Sequence, residues 1–460
     1  KETSKLYWLA LLIFVGFVIA FSAQKICSFD IWWHLKAGEW IWQNKAIPHT
    51  DPFSYTFKGA EWIDFEWLFQ TAIYPLWKVG GYGGLIIFKI AVILLTFFIL
   101  FLTCRKLAKD SPWLTLIVLL IALNVAKGRF MVRPHILFLL FVASSLYLLT
   151  LYREGLLSPK RFLLLILGLQ IIWVNFHSSF LIGILLVGSH LLGRFIPLAI
   201  QHRKDLRPLL RDERLRWLFF TCLLLVIFSM ANPYGPNIYL LPIKTMKAKE
   251  VLREIAEWVP LDIRILGLLV TDPTVWFRGM FLLGVVSFLI RKDNLKKVED
   301  LLIFATFSYL SFKHHRFSAL FAVTAAPIIL SNLAYVKRRP GNWLRYAILL
   351  VIIGLSFRDM QALIKVNRLG LIVWDVYPKA TVKFLKNHRI QGNIFNTYGL
   401  GGYLIWHLWP EIPVFIDGRT PTIYDQDFFW LYSLAERKKD IWEKVVKDYS
   451  IDIVLIRDCL

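Results

Sequence analysis

Long apolar runs recur along the chain and are separated by short polar links. A bilayer core needs roughly 20 apolar residues per helix, and somewhat fewer where neighbouring helices shelter the ends. Eleven runs meet this requirement. They predict membrane-spanning helices near residues 6–22, 84–103, 112–126, 135–151, 162–175, 178–193, 217–231, 274–290, 301–312, 318–335 and 343–357.

The pattern changes after residue 357, where apolar runs shorten and alternate with charged segments. It predicts strands over 392–395, 414–416 and 451–456, and helices over 380–387 and 427–449. The fold class is therefore a polytopic α-helical membrane protein of about eleven spans, with a membrane domain over 1–357 and a small α/β domain over 358–460. The first residue is not methionine, and the last predicted strand ends near the final residue. We expect further residues at both ends.

Composition agrees with this pattern, because 57% of the residues are hydrophobic and only 19% are charged. A soluble domain is nearer one quarter charged. The formal charge of +22 is concentrated in alternate short links, and the positive-inside rule assigns those links to the cytoplasm. The prediction is a multi-pass inner-membrane protein with a cytoplasmic N-terminus. Segments 23–83, 232–272 and 358–460 are then exported, and no nucleic acid is needed to explain the charge.

Tryptophans crowd the first exported segment, 23–83. Indole rings favour the headgroup region, so we expect helices lying along the membrane surface near residues 30–42 and 61–77. Segment 80–84 is glycine-rich and is interpreted as the flexible start of a span. Segment 232–272 is interpreted either as a mobile lid or as a fixed amphipathic helix.

Acidic residues in this first segment are the candidate catalytic groups. Asp30 directly follows the first span among bulky apolar residues, where partial desolvation makes a carboxylate more basic. An N-cap role for Asp30 in the following helix is equally compatible with the spacing. Glu66 and Asp64 are candidates for a second acidic group that orients the acceptor or Asp30.

The segments FDIWWH, from Phe29 to His34, and IPHTDPF, from Ile47 to Phe53, resemble the first outer loop of the GT-C superfamily. This superfamily comprises membrane glycosyltransferases that use polyprenyl-phosphate donors, among them oligosaccharyltransferase catalytic subunits and protein O-mannosyltransferases. The resemblance implies that the acidic residue after the first span, Asp30, is catalytic. It also implies many spans, a long first outer loop and an exported C-terminal domain.

Two departures from the oligosaccharyltransferase pattern qualify this resemblance. The outer turn at 127–135 contains no acidic residue, whereas that family carries further metal-binding acids there. The sequence thus assigns no metal ligands and leaves a requirement for a divalent metal open; it assigns no other cofactor. The family's WWDYG motif is reduced here to Tyr398 and Gly399, which disfavours transfer to an asparagine sequon.

Polar residues gather at the predicted outer ends of several spans, where ionisable groups usually line a cavity or an interface. Arginine binds phosphate through two nitrogens. Snorkelling to lipid headgroups is the alternative for any one of them. The predicted donor-phosphate set is Arg129, Arg133, His135, His177, His314, His315 and Arg316.

A separate set is predicted to bind acceptor or substrate: His34, Tyr398, Asp417, Arg419 and Tyr424. Asp417 and Arg419 flank a turn after a predicted strand, where binding loops often lie. An internal Asp–Arg turn is the competing interpretation.

The predicted function is transfer of a sugar, with inversion, from a polyprenyl-phosphate donor to an acceptor on the outer face. Asp30 acts as the base. The expected partners are the lipid-linked donor, membrane lipids and an acceptor glycan, lipid or protein, without nucleic acid. Three alternatives stay open: transfer of a whole glycan by an oligosaccharyltransferase-like or ligase enzyme, transport of a lipid-linked sugar, and a non-catalytic role in a membrane complex.

Overall fold

The computed structural model describes residues 2–457, except 109, 204, 206, 241, 243–259, 261–273, 292–296, 336–340 and 421. Its α-helices are α1 Glu2–Ser22, α2 Ile31–Asn44, α3 Trp67–Leu107, α4 Pro112–Ala126, α5 His135–Arg153, α6 Pro159–Phe176, α7 Leu181–Gln201, α8 Arg207–Arg211, α9 Glu213–Phe228, α10 Val275–Ile290, α11 Val298–Lys313, α12 Ser318–Ala334, α13 Asn342–Lys365, α14 Lys379–Asn387, α15 Gly401–Leu408, α16 Gln426–Ala435 and α17 Lys439–Asp448. Strands β1 Ile394–Asn396 and β2 Ile453–Leu455 pair in parallel.

Every predicted span coincides with a helix. Eight segments in the described part of the chain are long and apolar enough to cross a membrane: Lys5–Ser22, Trp67–Leu107, Pro112–Arg129, His135–Arg153, Pro159–Phe176, Ser178–Gln201, His315–Ala334 and Trp343–Lys365. Helices α9, α10 and α11 have 16 residues each, or about 24 Å against a core of about 30 Å. A multi-pass membrane protein is thus indicated, and the count of eleven spans stays a prediction.

Contacts between helix ends show which termini lie together at each end of the bundle. At one end, Asn175 in the last turn of α6 donates to the carbonyl of Ala231 after α9, over 2.8 Å. At the other end, the last residue of α5, Arg153, lies 3.3 Å from Asp300 at the start of α11. We call the first the site end, because Asp30, Arg133, His177 and Arg316 lie there at the ends of their helices.

Helix α3 contains both the second predicted surface helix and the second span. Gly81 has non-helical angles (φ 54°, ψ −145°) and divides the 41 residues into two helical parts. Only glycine adopts such angles readily, so the predicted flexible start of the span is a kink. The surface helix begins at Trp67 rather than near residue 61, because Glu61 instead pairs with Thr50 in an antiparallel bridge.

The first loop packs directly on the C-terminal region. Ser54 forms a parallel bridge with Val414, and the hydroxyl of Thr56 donates to the carbonyl of Phe415 over 2.7 Å. Trp409 Nε1 donates to the carbonyl of Pro52 over 2.9 Å. These contacts make the loop and the C-terminal region one packed layer over the site end.

This packing corrects the prediction that the loop tryptophans lie among lipid headgroups. Trp32, Trp33 and Trp62 are buried inside the protein, and the face of α2 that bears the first two packs against α3 and α15. The C-terminal region covers these rings and removes them from both lipid and water, whereas Trp42 is exposed.

The C-terminal region differs from its prediction in three details. Helix α13 continues to Lys365, so residue 357 lies inside a helix and is not an element boundary. The helix predicted over 427–449 is two helices, α16 and α17. Val414 makes single bridges to Ile394 and Ser54 in place of a third strand. Most of segment 232–272, interpreted as a lid or a fixed helix, lies outside the described residues.

Candidate functional site

Asp30 occupies the N-cap position of α2, yet its side chain makes no capping hydrogen bond to that helix. Its Oδ2 instead lies 3.3 Å from Nη1 of Arg133, an ion pair in which the two side chains are 29% and 19% exposed. Arg133 Nε donates to Ser28 Oγ over 2.6 Å. Arg133 belongs to the turn before α5, so one ion pair joins the ends of two neighbouring helices.

Glu66 lies at the N-cap of α3, between two histidines. Its Oε2 is 3.7 Å from His34 Nε2, and its Oε1 is 4.0 Å from His177 Nε2. Both distances exceed normal hydrogen-bond length. His34 comes from α2 and His177 follows α6, so three helices converge on this carboxyl group.

Burial and charge together favour the neutral form of all three groups. Burial raises the pKa of Glu66 well above its usual range, and the nearby carboxylates of Asp64 and Asp30 raise it further. Burial also lowers the pKa of His34, with the charge of Arg133 acting in the same direction. The pKa of His177 falls to about 3 through burial and the charge of Arg316. A protonated Glu66 beside neutral imidazoles is therefore the favoured state.

Asp64 lies two residues before Glu66 and is also buried. It accepts a hydrogen bond from Gln70 Nε2 over 2.7 Å. Burial raises its pKa to about 7, although that hydrogen bond opposes the change. The two predicted second acids are thus neighbours, and only Glu66 lies between the histidines.

A wall of the site comes from the C-terminal region. A Cβ atom on Gly418 would lie 2.6 Å from Asp30 Oδ1 and 3.2 Å from Trp33 Nε1, so the backbone of the 417–419 turn closes directly on the carboxylate. Burial raises the pKa of Tyr398, and the negative charge of Asp30 raises it further, which indicates that this phenol also lies near Asp30. In the described part of the chain, Trp33 Nε1 and His34 Nδ1 have no hydrogen-bond partner.

Asp417, Arg419 and Tyr424 form a different, closed cluster. Arg419 Nη2 and Nε contact the two oxygens of Asp417 at 2.6 and 2.8 Å, and Tyr424 donates to Asp417 Oδ2 over 2.7 Å. Arg419 Nη1 reaches Asp51 of the first loop at 2.6 Å. The side chains of Arg419, Asp417 and Asp51 are wholly buried. This geometry matches the internal Asp–Arg turn that the sequence left as an alternative, and it offers no exposed group to an acceptor.

The remaining predicted phosphate ligands are distributed around the site end. His135 Nε2 is 2.7 Å from the carbonyl of Arg129, and both residues are buried, which ties the turn before α5 together. His314, His315 and Arg316 form the turn between α11 and α12. Arg316 lies near both Glu66 and His177, because its charge adds to the fall in the pKa of His177 and opposes the rise in the pKa of Glu66.

Sequence reasoning missed three residues of this site: Ser28, Trp33 as a polar group, and Gly418. Ser28 and Trp33 flank Asp30 in the chain, so proximity to the proposed base was a usable signal. Gly418 is more than 380 positions from Asp30, and the local sequence offers no sign that its backbone meets the carboxylate.

The residues around Asp30 fit a resident divalent metal poorly. No group of three or more His, Cys, Asp or Glu side chains in the described segments is arranged to hold a metal ion. The guanidinium of Arg133 lies against Asp30 Oδ2, and a doubly charged ion there would be repelled about twice as strongly as a single charge at the same distance.

No protein-family model and no curated protein matches the chain. Solved structures do resemble it. The oligosaccharyltransferase AglB of Archaeoglobus fulgidus, in complex with an inhibitory peptide and a dolichol-phosphate, aligns with a TM-score of 0.64 at 11% identity, over 98% of this chain and 69% of that chain. The apo form of the A. fulgidus oligosaccharyltransferase aligns with the same score and identity, over 99% and 70%.

A third structure, the A. fulgidus enzyme tethered to an acceptor peptide containing the NVT sequon, aligns with a TM-score of 0.62 at 12% identity. At such low identity the likeness establishes the fold alone. The resemblance inferred from FDIWWH and IPHTDPF is confirmed at the level of the fold, because the chain has the fold of the archaeal oligosaccharyltransferase over nearly its whole length.

Proposed function

We propose that this protein is a membrane glycosyltransferase that transfers a sugar from a polyprenyl-phosphate donor to a hydroxyl acceptor at the outer face of the membrane. The main observation in support of this proposal is the ion pair between Asp30 and Arg133. It leaves a partly exposed carboxylate at the site end of an apolar helix bundle, where a lipid-borne substrate has access. The likeness of the fold to an oligosaccharyltransferase solved in complex with a dolichol-phosphate supports the donor class.

In the proposed reaction, Asp30 accepts the proton of the acceptor hydroxyl. The acceptor oxygen forms a bond to the anomeric carbon from the face opposite the phosphate. The bond between that carbon and the phosphate oxygen breaks, and the electron pair leaves with the polyprenyl phosphate. Configuration at the anomeric carbon is therefore inverted. A positioned general base contributes about 10²–10⁴-fold in rate.

The departing phosphate gains negative charge, which the guanidinium groups of Arg133 and Arg316 would stabilise. Both arginines act on the same carboxyl group, Glu66, which supports a shared phosphate position, with His314 beside Arg316 in the same turn. Protonated Glu66 would donate a hydrogen bond to the acceptor or donor sugar. When Asp64 is ionised, its negative charge would favour keeping that proton on Glu66.

The other predicted acceptor residues take different roles in this proposal. His34 and Tyr398 face the acceptor beside Asp30. Besides burial, the charge of Arg133 lowers the pKa of His34, and the charge of Asp30 raises the pKa of Tyr398, so both side chains lie close to this ion pair. Asp417, Arg419 and Tyr424 hold the turn that carries Gly418. His177 contacts the donor phosphate beside Arg316, whereas Arg129, His135 and His315 shape the surrounding turns.

The test is transfer by the purified full chain in lipid nanodiscs, with a polyprenyl-phosphate monosaccharide as donor and release of polyprenyl phosphate as readout. We expect Asp30→Asn to lower the rate about 10²–10⁴-fold. Glu61→Gln, which changes an exposed carboxylate of the same loop, should retain it. Full transfer by Asp30→Asn would refute the assignment of the base.

Transfer of a whole glycan is the second candidate, and the likeness to an oligosaccharyltransferase favours it. A polyprenyl-diphosphate oligosaccharide supplied with an acceptor peptide separates the two reactions, because the mass of the product reports how many sugars have moved. We expect no glycan on the acceptor peptide, since the reduction of the WWDYG motif to Tyr398 and Gly399 disfavours transfer to an asparagine sequon.

A further inference from the structure

We infer that the guanidinium of Arg133 takes the position that a divalent cation would hold beside Asp30, so that transfer at this site proceeds without a bound metal. This inference rests on the proposed function and deepens it. It concerns the point at which these residues depart from what an oligosaccharyltransferase fold implies.

The first support is geometric. Arg133 Nη1 lies 3.3 Å from Asp30 Oδ2, and Arg133 Nε is held by Ser28 at 2.6 Å. The arginine is thus fixed on two sides, by the residue it neutralises and by a hydroxyl two positions earlier in the chain. A fixed cation aimed at the reacting region needs no rearrangement as charge develops, which is the property a metal ion would supply.

The second support is the shortage of anionic ligands around Asp30. Acidic and imidazole side chains bind a metal only in their deprotonated form, and a hard cation such as Mg²⁺ or Mn²⁺ prefers oxygen ligands. Glu66 is the nearest carboxyl group to the histidines, and burial raises its pKa and favours its neutral form. The turn before α5, where Arg133 lies, contains no carboxylate at all.

The third support is the sum of charges. Arg133 and Arg316 both act on Glu66, so two permanent positive charges already surround the carboxyl groups of the site. A donor phosphate would balance these charges, whereas a divalent cation would add to them. The arrangement thus selects for an anion and against a second cation.

The test uses Mn²⁺ alone as the metal probe. Electron paramagnetic resonance of the purified full chain in detergent measures bound against free Mn²⁺, and a transfer assay runs in parallel with and without EDTA. We expect no stoichiometric Mn²⁺ bound to the wild type and undiminished transfer in EDTA. One bound Mn²⁺ per chain that is lost in Asp30→Asn, or transfer that requires added metal, overturns the inference.

Arg133→Asp is the matched variant, because it removes the guanidinium and adds a carboxylate beside Asp30. We expect this variant to gain one Mn²⁺ per chain, while Arg345→Asp, at a basic residue away from the site end, gains none. Failure of a folded Arg133→Asp variant to bind Mn²⁺ counts against the assigned position. Absence of transfer with every donor, with or without metal, contradicts the proposed function instead, and the Mn²⁺ spectra remain a separate result.

Discussion

Two arginine–carboxylate clusters join the first loop to the rest of the molecule, and they differ in access to solvent. In the closed cluster, Arg419 lies between Asp51 and Asp417 with all three side chains wholly buried. In the open cluster, Arg133 pairs with Asp30 while both side chains stay partly exposed. The same residue types therefore stabilise the packing of the loop in the closed cluster and remain accessible to solvent in the open cluster.

The difference in solvent access accompanies a difference in the contacts that each guanidinium makes. Arg419 donates four hydrogen bonds to the carboxylates of Asp417 and Asp51, one of them from its backbone nitrogen, and its guanidinium lies 4.8 Å from the ring centre of Trp62. A buried charge with such contacts is expensive to disturb. Arg133 lies near His34 and the buried Glu66 instead, which are groups that a reaction can use.

The largest expected effect is on the closed cluster. Arg419→Ala leaves Asp51 and Asp417 buried without their partner, which typically costs about 3–5 kcal/mol of folding stability. Arg133→Ala, in the open cluster, should cost about 1 kcal/mol. Thermal unfolding of the two purified variants measures the contrast. Equal losses would mean that the two clusters do not differ as described.

A second prediction concerns the wall between the clusters. Gly418→Ala places a methyl group 2.6 Å from the present position of Asp30 Oδ1, so the carboxylate must move. A misplacement of about 1 Å can lower the rate about 10²-fold. Gly168→Ala, in the middle of α6, is the control, since its new methyl would meet no atom within 4 Å. Comparable transfer by both variants would contradict the proposal that Gly418 forms part of the site.

The smallest expected effect is a change of stability with pH. Burial raises the pKa of Asp64 to about 7 in the folded state, so the folded protein binds this proton more tightly than the unfolded chain. Stability should therefore fall as the pH rises from 5 to 8, by about 2–3 kcal/mol from this group.

Asp64→Asn should flatten that fall, which melting temperatures at several pH values would measure. Glu61→Gln, at the surface of the same loop, should leave the slope unchanged. Part of the slope should persist in Asp64→Asn, because burial also raises the pKa of Glu66. A slope that is unaltered by Asp64→Asn would contradict the raised pKa.

Much of the fold is encoded locally, which is why the sequence predicts it. Continuous apolar runs gave the positions of the helices, and Gly81 lies in the segment predicted to be flexible. Asp30 is predicted to be the base from its place directly after the first apolar run, and that role stays a prediction. Both signals act within a few residues of chain.

What the sequence could not give depends on contacts between distant segments. Asp51 and Arg419 are 368 positions apart, and the sequence around each residue does not indicate that the two are in contact. The tryptophans of α2 were assigned to the headgroup region because composition alone does not show that α15 covers them. The break between α16 and α17 was also missed, since residues 436–438 are polar in the manner of an exposed helical turn.

The contact between Gly418 and Asp30 can form only late in the synthesis of the chain. Nearly the whole chain separates the carboxylate from the backbone that closes over it. At about 5–20 residues per second, the ribosome needs roughly 20–80 s to make the intervening length. The nascent protein therefore exposes the Asp30 carboxylate throughout that time, and the contact forms only when the turn that carries Gly418 folds back onto the start of α2.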